Sequence, residues 1–244
     1  MLEYPVERVN LGGVNFPIRF QYMQTLRRYF APFCRYKGPV DFPETVSVPP
    51  EEVAARMTDF GGESFTEFNL LLYHLCNLLL PYGRCLFHGV AFCIDGRAWL
   101  ITAPSGTGKS TQYRQWKAVF GDRVRLICGD KPVLEFTRGG DVVVHPSPWR
   151  GKERWRGGAP AELAGIIYLE QGLHNEIRPM PVPEAVVPLY AQILYQPQTE
   201  EQLCQAGSML DELLRRIPVW KLVNTGDEAS VCLTYDTVCK KGGY

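Results

Sequence analysis

The stretch Ala98-Trp99-Leu100-Ile101-Thr102, followed by Ala103-Pro104-Ser105-Gly106-Thr107-Gly108-Lys109-Ser110-Thr111, constrains this chain more than any other. The first part reads as a buried strand, and Gln112 to Phe120 reads as a helix. Between them lies a turn of small residues ending in Gly-Lys-Ser-Thr. Small residues let successive backbone N–H groups turn inward around an anion, and the helix N-terminus adds its positive end. A strand, turn and helix of this kind hold nucleotide phosphates, with Lys109 reaching the β/γ-phosphates and the Ser110 hydroxyl reaching Mg²⁺. The pattern is G-x-x-x-x-G-K-[ST], and its first position here is Ala103. Alanine serves there as long as the position does not require positive φ. The alternative is a chance Gly-rich turn, but the flanking strand and helix and the full G-K-S-T ending argue against it.

Composition narrows the rest. The 244 residues allow one large domain or two small ones with a sizeable core. Hydrophobic residues make up 45% and charged residues 21%, as in an ordinary globular protein. Lys plus Arg and Asp plus Glu both number 26, so the balance of charge calls for neither nucleic acid nor an anionic membrane as partner. The longest apolar stretch, Phe68 to Pro81, is interrupted by Asn69, His74 and Asn77 and is too short and polar to span a bilayer. Met1-Leu2-Glu3-Tyr4-Pro5 has no basic start leading into an apolar core, so no export signal is read and a cytoplasmic location is expected. The eight cysteines, at 34, 76, 85, 93, 128, 204, 232 and 239, form no C-x-x-C pair. Reduced, mostly buried thiols are expected rather than zinc ligands or disulfides.

Along the chain, Val9 to Phe20 with Gly12-Gly13 predicts a hairpin, Tyr22 to Phe33 a helix, Val40 to Glu51 extended chain, and Phe65 to Leu80 an apolar helix. Leu86 to Ile94 reads as one strand, turned at Asp95-Gly96 into the return strand Arg97 to Thr102. Helix Ser110 to Phe120 and strand Val124 to Cys128 follow. A hairpin joins Val133 to Phe136 with Val142 to His145 through Arg138-Gly139-Gly140, and a polar loop covers 146–160. Leu163 to Glu170 is a buried strand, Pro183 to Tyr195 and Glu200 to Ile217 are helices, and Val219 to Val223 closes the sheet. The many adjacent strands predict an α/β fold with a mixed sheet rather than a plain doubly wound one.

Phosphate-loop enzymes need an acid at the end of a second strand. Asp130, in Leu126-Ile127-Cys128-Gly129-Asp130, is the candidate, with Gly129 letting the backbone pass close to a ligand. The same residues also suit a simple turn. His88 sits on the strand predicted to pair with the one entering the loop, which brings it toward the γ-phosphate; a lone histidine on an apolar strand is otherwise structural. Arg150 and Lys152, in Trp149-Arg150-Gly151-Lys152, suit a phosphate clamp or an exposed basic loop. Trp149 and Trp155 either stack on a ligand or pack. Glu170 is a rim candidate, and Asn175, Glu176 and Arg178 are surface residues.

Phe87-His88-Gly89-Val90-Ala91, Gly96, the run Ser105 to Thr111, and Gly129-Asp130 resemble the catalytic domain of HPr kinase/phosphorylase and the nucleotide half of ATP-dependent phosphoenolpyruvate carboxykinase. The similarity covers about residues 85 to 223. It includes Pro148-Trp149-Arg150-Gly151-Lys152 and Ile166-Ile167-Tyr168-Leu169-Glu170, the part carried by small HPr kinase-like proteins, some of which tailor ribosomal peptides such as lasso peptides. The resemblance implies a mixed-sheet P-loop core over 85–244; the change in composition alone suggests a small α+β N-terminal region over 1–84 that covers the site or grips the substrate. The resemblance also implies a kinase that uses ATP and Mg²⁺ to phosphorylate a hydroxyl of a peptide, protein or small molecule, and a homo-oligomer. Ser105, Gly106, Thr107, Gly108, Lys109, Ser110 and Thr111 would bind the phosphates. Ser110 would hold Mg²⁺. Asp130 would take the acceptor's proton or share the metal, and His88 matches the histidine preceding the loop.

Three departures temper the resemblance. Lys131 stands where the family has a second acid, Ala103 replaces a glycine, and no arginine-rich carboxykinase site is evident. The HPr kinase C-terminal signature is not apparent either, so HPr is a poor guess for the substrate. A carboxykinase-like phosphotransferase on a small acid, and a nucleotide-binding module without turnover, remain as alternatives. Phosphate transfer to any acceptor, and its response to Asp130→Asn, would discriminate the last.

Overall fold

A computed structural model describes residues 6–35, 38–153, 155, 157–196 and 198–240; Met1 to Pro5, read above for an export signal, lie outside the described residues. Strands β1 (Val6–Leu11) and β2 (Val14–Arg19) pair antiparallel as the predicted hairpin. They turn at Gly12 and Gly13, whose φ values of 58° and 85° suit a two-residue hairpin turn. The helix expected over 22–33 is present but changes pitch. It starts as α1 (Met23–Thr25), widens into a π-helical turn at Leu26–Phe30 and tightens to 3₁₀ at Ala31–Phe33. Pro32 has no N–H to continue the α-helical ladder. The extended segment expected over 40–51 stops earlier, because Pro50 opens α2 (Pro50–Phe60), with Glu51 and Glu52 in its positively polarised first turn. Helix α3 (Glu63–Leu79) falls where the apolar spacing predicts it.

The strands β3 (Arg84–Phe87), β4 (Val90–Ile94), β5 (Arg97–Thr102), β6 (Arg125–Cys128), β7 (Val133–Phe136) and β8 (Val142–His145) belong to one mixed sheet. With them are β9 (Ala161–Gln171), β10 (Glu176–Pro179), β11 (Ile193–Leu194) and β12 (Val219–Asn224), in the order β11-β3-β7-β8-β9-β5-β4-β6. The sheet forks at β9. That long strand meets β8 antiparallel through Ala161 and Glu162, and lies parallel to both β5 and β12. Strand β10 borders β12.

The run 86–94, expected as one strand, is two. Strand β3 pairs with β7 and β11, whereas β4 pairs with β5 and β6. The chain crosses between the two halves of the sheet at His88-Gly89. A Cβ on Gly89 would lie 2.8 Å from the Ile101 carbonyl oxygen, so only glycine fits the crossing undisturbed.

Alternation along β4 and β5 divides the interior. Val90, Phe92, Ile94, Trp99 and Ile101 pack with Trp116 of α4 (Lys109–Phe120) and with Val231 of α7 (Glu228–Thr234). Ala91, Cys93, Ala98 and Leu100 face Phe87, Leu134 and Val144 from the other half of the sheet. Helices α5 (Val182–Tyr190) and α6 (Glu200–Arg216) close that second core. A third core joins β1, β2 and α1 to α3 to Leu86, Val133 and Trp149.

The helix expected over 183–195 ends at Tyr190, because Ile193 and Leu194 leave it to pair with the edge of β3. Strand β10 and helix α7 were not anticipated. Both are short, although Asp227, whose side chain caps α7 through the Ser230 N–H (3.0 Å), is a readable start signal. All eight cysteines are free, and the expectation of mostly buried thiols holds for Cys76, Cys85, Cys93 and Cys128 but not for the exposed Cys204 and Cys232. Among the described residues, no helix is long and apolar enough to cross a membrane.

Candidate nucleotide-binding site

Strand β5 runs into the Gly-rich turn and α4 leaves it. Gly106 and Gly108 have φ of 85° and 106°. A Cβ at either would meet nothing within 4 Å, so the dihedral, not crowding, calls for glycine. Ala103 is buried and keeps negative φ, so its side chain imposes no strain. The first amide to bond back along α4 is that of Gln112, to the Gly108 carbonyl (2.9 Å), and no side chain caps the helix. The N–H groups of Lys109, Ser110 and Thr111 thus have no acceptor within the helix, and these residues line an open cleft. Lys109 is 8% exposed, and its Nζ donates to the carbonyls of Ala103 (2.8 Å) and Pro104 (3.0 Å). Burial lowers its pKa; Asp130 opposes that shift and Lys131 adds to it.

Strands β5 and β6 both run antiparallel to β4, so they end at the same edge of the sheet. Asp130 therefore follows β6 beside the phosphate loop. The crossing at His88-Gly89 is stitched to it: the Gly89 N–H donates to the Asp130 carbonyl (2.8 Å) and Phe87 N–H to Pro132 (3.0 Å). His88 Nε2 lies 3.5 Å from Asp130 Oδ1, and Lys131 Nζ is bonded to Asp130 Oδ2. Burial lowers the His88 pKa; Lys109 and Lys131 push the same way, and Asp130 and Gln192 oppose them. The expected pairing of His88 with the strand entering the loop is corrected. His88 sits at the break between two strands and reaches the site from the crossing.

The cleft encloses about 750 Å³. Ser105, Gly106, Gly108, Lys109, Ser110 and Thr111 form one side, with His88, Asp130 and Lys131 at the end. Arg28, Tyr29, Phe65, Phe68 and Asn69 of the N-terminal region contribute a wall, and Arg150 and Lys152 also line the cleft. Thr107 is not part of the lining; its hydroxyl donates to the Pro104 carbonyl (2.9 Å), and its own carbonyl accepts from Gln171 Nε2 (3.3 Å), so its side chain braces the loop. Gly129 lines the cleft and also makes room for the protein's own backbone, since a Cβ there would lie 2.6 Å from the Arg150 carbonyl oxygen.

Trp149 packs in the N-terminal core, with Nε1 donating to the Phe68 carbonyl (3.0 Å). Trp155 rests on Tyr113, ring centroids 4.9 Å apart. Glu170 pairs with Lys221 (2.7 Å). Asn175 binds the Thr225 amide (3.0 Å), and Glu176 and Arg178 lie on the border strand β10. Sequence reasoning missed Gln192 and the wall around Arg28. Neither has a local signal: Gln192 supports the cleft residue His88 from 104 residues away, and Arg28 reaches the cleft from the N-terminal region.

No family model matches this chain, and no curated protein matches it. Among solved structures, the HPr(Ser) kinase/phosphatase from Coxiella burnetii matches with a TM-score of 0.35 and 14% identity, over 64% of this chain and 93% of that one. An overlap of that extent assigns this chain no activity.

Proposed function

We propose that this chain is an ATP-dependent kinase of HPr kinase-like type that transfers the γ-phosphoryl group to a hydroxyl on a peptide, protein or small molecule. The observation that carries the reading is convergence. A Gly-rich loop with free first-turn amides, a buried lysine and an acid that follows a second strand ending at the same sheet edge all meet in one cleft. Phosphoryl transfer asks mainly for positioning and for positive charge around the moving group.

In this reading the amides of 105–111 bind the β/γ-phosphates, and Lys109 exchanges its loop carbonyls for phosphate oxygens. Arg150 and Lys152 reach the nucleotide from the side. Among the described residues no cluster of three or more His, Cys, Asp or Glu gathers to hold a metal. The residues fit Mg²⁺ bound chiefly through nucleotide oxygens and water, with the Ser110 hydroxyl as the protein ligand. Bound there, Mg²⁺ neutralises charge on the phosphates. Of the two roles open to Asp130, we favour orienting the acceptor and supporting its deprotonation over metal ligation, because Lys131 already engages one carboxylate oxygen. The N-terminal region, 1–84, supplies the wall across the cleft and would grip the acceptor.

The Lys131–Asp130 pair also favours a second reading, a nucleotide-binding module without turnover. One experiment separates the two. The protein is titrated calorimetrically with MgATP and then incubated with γ-labelled ATP and fractionated peptides, proteins and metabolites, with products read by mass spectrometry. ATP binding and a labelled hydroxyl, both lost in Lys109→Ala, are expected. Binding without label in any fraction supports the module, and no binding by the wild type overturns both.

A further inference from the structure

We propose that Gln192 is a positioning residue that holds His88 as its Nδ1–H tautomer, leaving His88 Nε2 and Asp130 Oδ1 side by side as proton acceptors in the cleft. Gln192 lies in the turn between α5 and β11 and is 5% exposed. Its backbone is fixed at both ends: its N–H donates to the Leu189 carbonyl (3.0 Å), and its carbonyl accepts from the His88 N–H (2.8 Å). Its side-chain Nε2 donates to the Pro188 carbonyl (3.3 Å). A carbonyl only accepts, so the amide nitrogen belongs on that side and Oε1 turns to His88 Nδ1, 2.9 Å away. An amide oxygen also only accepts, so Nδ1 carries the hydrogen.

In the neutral ring the lone pair then sits on Nε2, which is 3.5 Å from Asp130 Oδ1. Two acceptors at that separation have no proton between them and are completed by a donor entering from the cleft. The charged groups facing the ring are Asp130, Lys109 and Lys131. The two ammonium groups, with burial, favour the neutral ring.

The consequence for catalysis rests on the kinase reading. The acceptor's O–H bond breaks and its proton passes to His88 Nε2. The oxygen's electron pair forms the new bond to the γ-phosphorus. The bond from that phosphorus to the β,γ-bridging oxygen breaks, and its electrons leave with ADP. Asp130 balances the imidazolium until the proton returns to solvent.

The test uses the whole chain labelled with ¹⁵N-histidine and long-range ¹H–¹⁵N correlation spectra. The chain has four histidines, so His88 is assigned by its loss in His88→Gln or by elimination in the three other single variants. The expected wild-type pattern is a protonated Nδ1 and a bare Nε2. Gln192→Glu keeps an acceptor and keeps the tautomer, whereas Gln192→Met removes the acceptor and mixes the tautomers. In turnover, Gln192→Met lowers kcat by about 10-fold or more, with the KM for ATP within about 2-fold. A wild-type His88 protonated at Nε2 overturns the proposal whether or not Gln192→Met folds, as does a folded Gln192→Met protein with an unchanged tautomer. Spectra as expected with no acceptor phosphorylated would uphold the Gln192 assignment and remove the kinase reading alone.

Discussion

At the scale of single residues, the chemistry gathers on Asp130, whose two carboxylate oxygens meet different partners: His88 at 3.5 Å and the Lys131 ammonium. Asp130→Asn keeps the shape but not the charge. Steady-state kinetics should show kcat reduced by about 10²- to 10⁴-fold with the KM for ATP little changed, as for a charge that acts in the transition state by orienting the acceptor and supporting its deprotonation. A second histidine shows how the fold tunes an imidazole. His145 Nε2 lies 2.8 Å from Glu135 Oε2, an arrangement that by itself raises a histidine pKa. Burial nevertheless holds the pKa below its ordinary value, and Arg84, which shares the Glu135 carboxylate, pushes the same way. The unfolded chain takes up this proton near pH 6.5, where the folded chain does not. Stability should therefore fall as pH drops from about 7 to 5.5. In urea titrations at the two pH values, His145→Gln should lose less stability on acidification than the wild type; an equal or larger loss would remove His145 from the pH response.

At the scale of elements, the site depends on two backbone devices. One is the left-handed turn at Gly108, where α4 begins. Gly108→Ala places a side chain at φ 106°, which should cost about 1 kcal/mol or more and misdirect the first-turn amides. Calorimetry should show ATP affinity falling further than global stability does. The other is the crossing at Gly89. An alanine Cβ there would sit 2.8 Å from the Ile101 carbonyl and 2.9 Å from Leu100 Cδ1, forcing the crossing away from β5. Urea unfolding should register a loss of about 1–3 kcal/mol, the range for an overpacked core site. This crossing was the part of the sheet that could not be read from the chain. Leu86 to Ile94 is apolar nearly throughout, and an apolar run does not reveal where a strand changes partners.

At the scale of the molecule, the cleft lies between the phosphate loop and an N-terminal wall that shares a core with the sheet. Trp149 links them. It is 2% exposed, stacks on Phe68 (5.9 Å), meets Phe30 edge-on (5.7 Å) and precedes the cleft residue Arg150. Trp149→Ala should cost about 3–5 kcal/mol in chemical unfolding, as for a large buried aromatic, and should weaken ATP binding as the wall loosens. Unchanged affinity in a folded variant would mean that the wall is not part of the nucleotide site.

Much of this was legible locally. The strand, Gly-rich turn and helix, the hairpins at Gly12-Gly13 and Asp95-Gly96, and the apolar face of α3 follow from periodicity and from glycine's access to positive φ. Those features depend on residues a few positions apart, so the linear order suffices to set them. The partner change at His88, the packing of Trp149 and the approach of Gln192 to an imidazole 104 residues away did not follow. They arise when separate apolar faces bury one another, and only the folded chain decides which distant polar groups are left within hydrogen-bond reach.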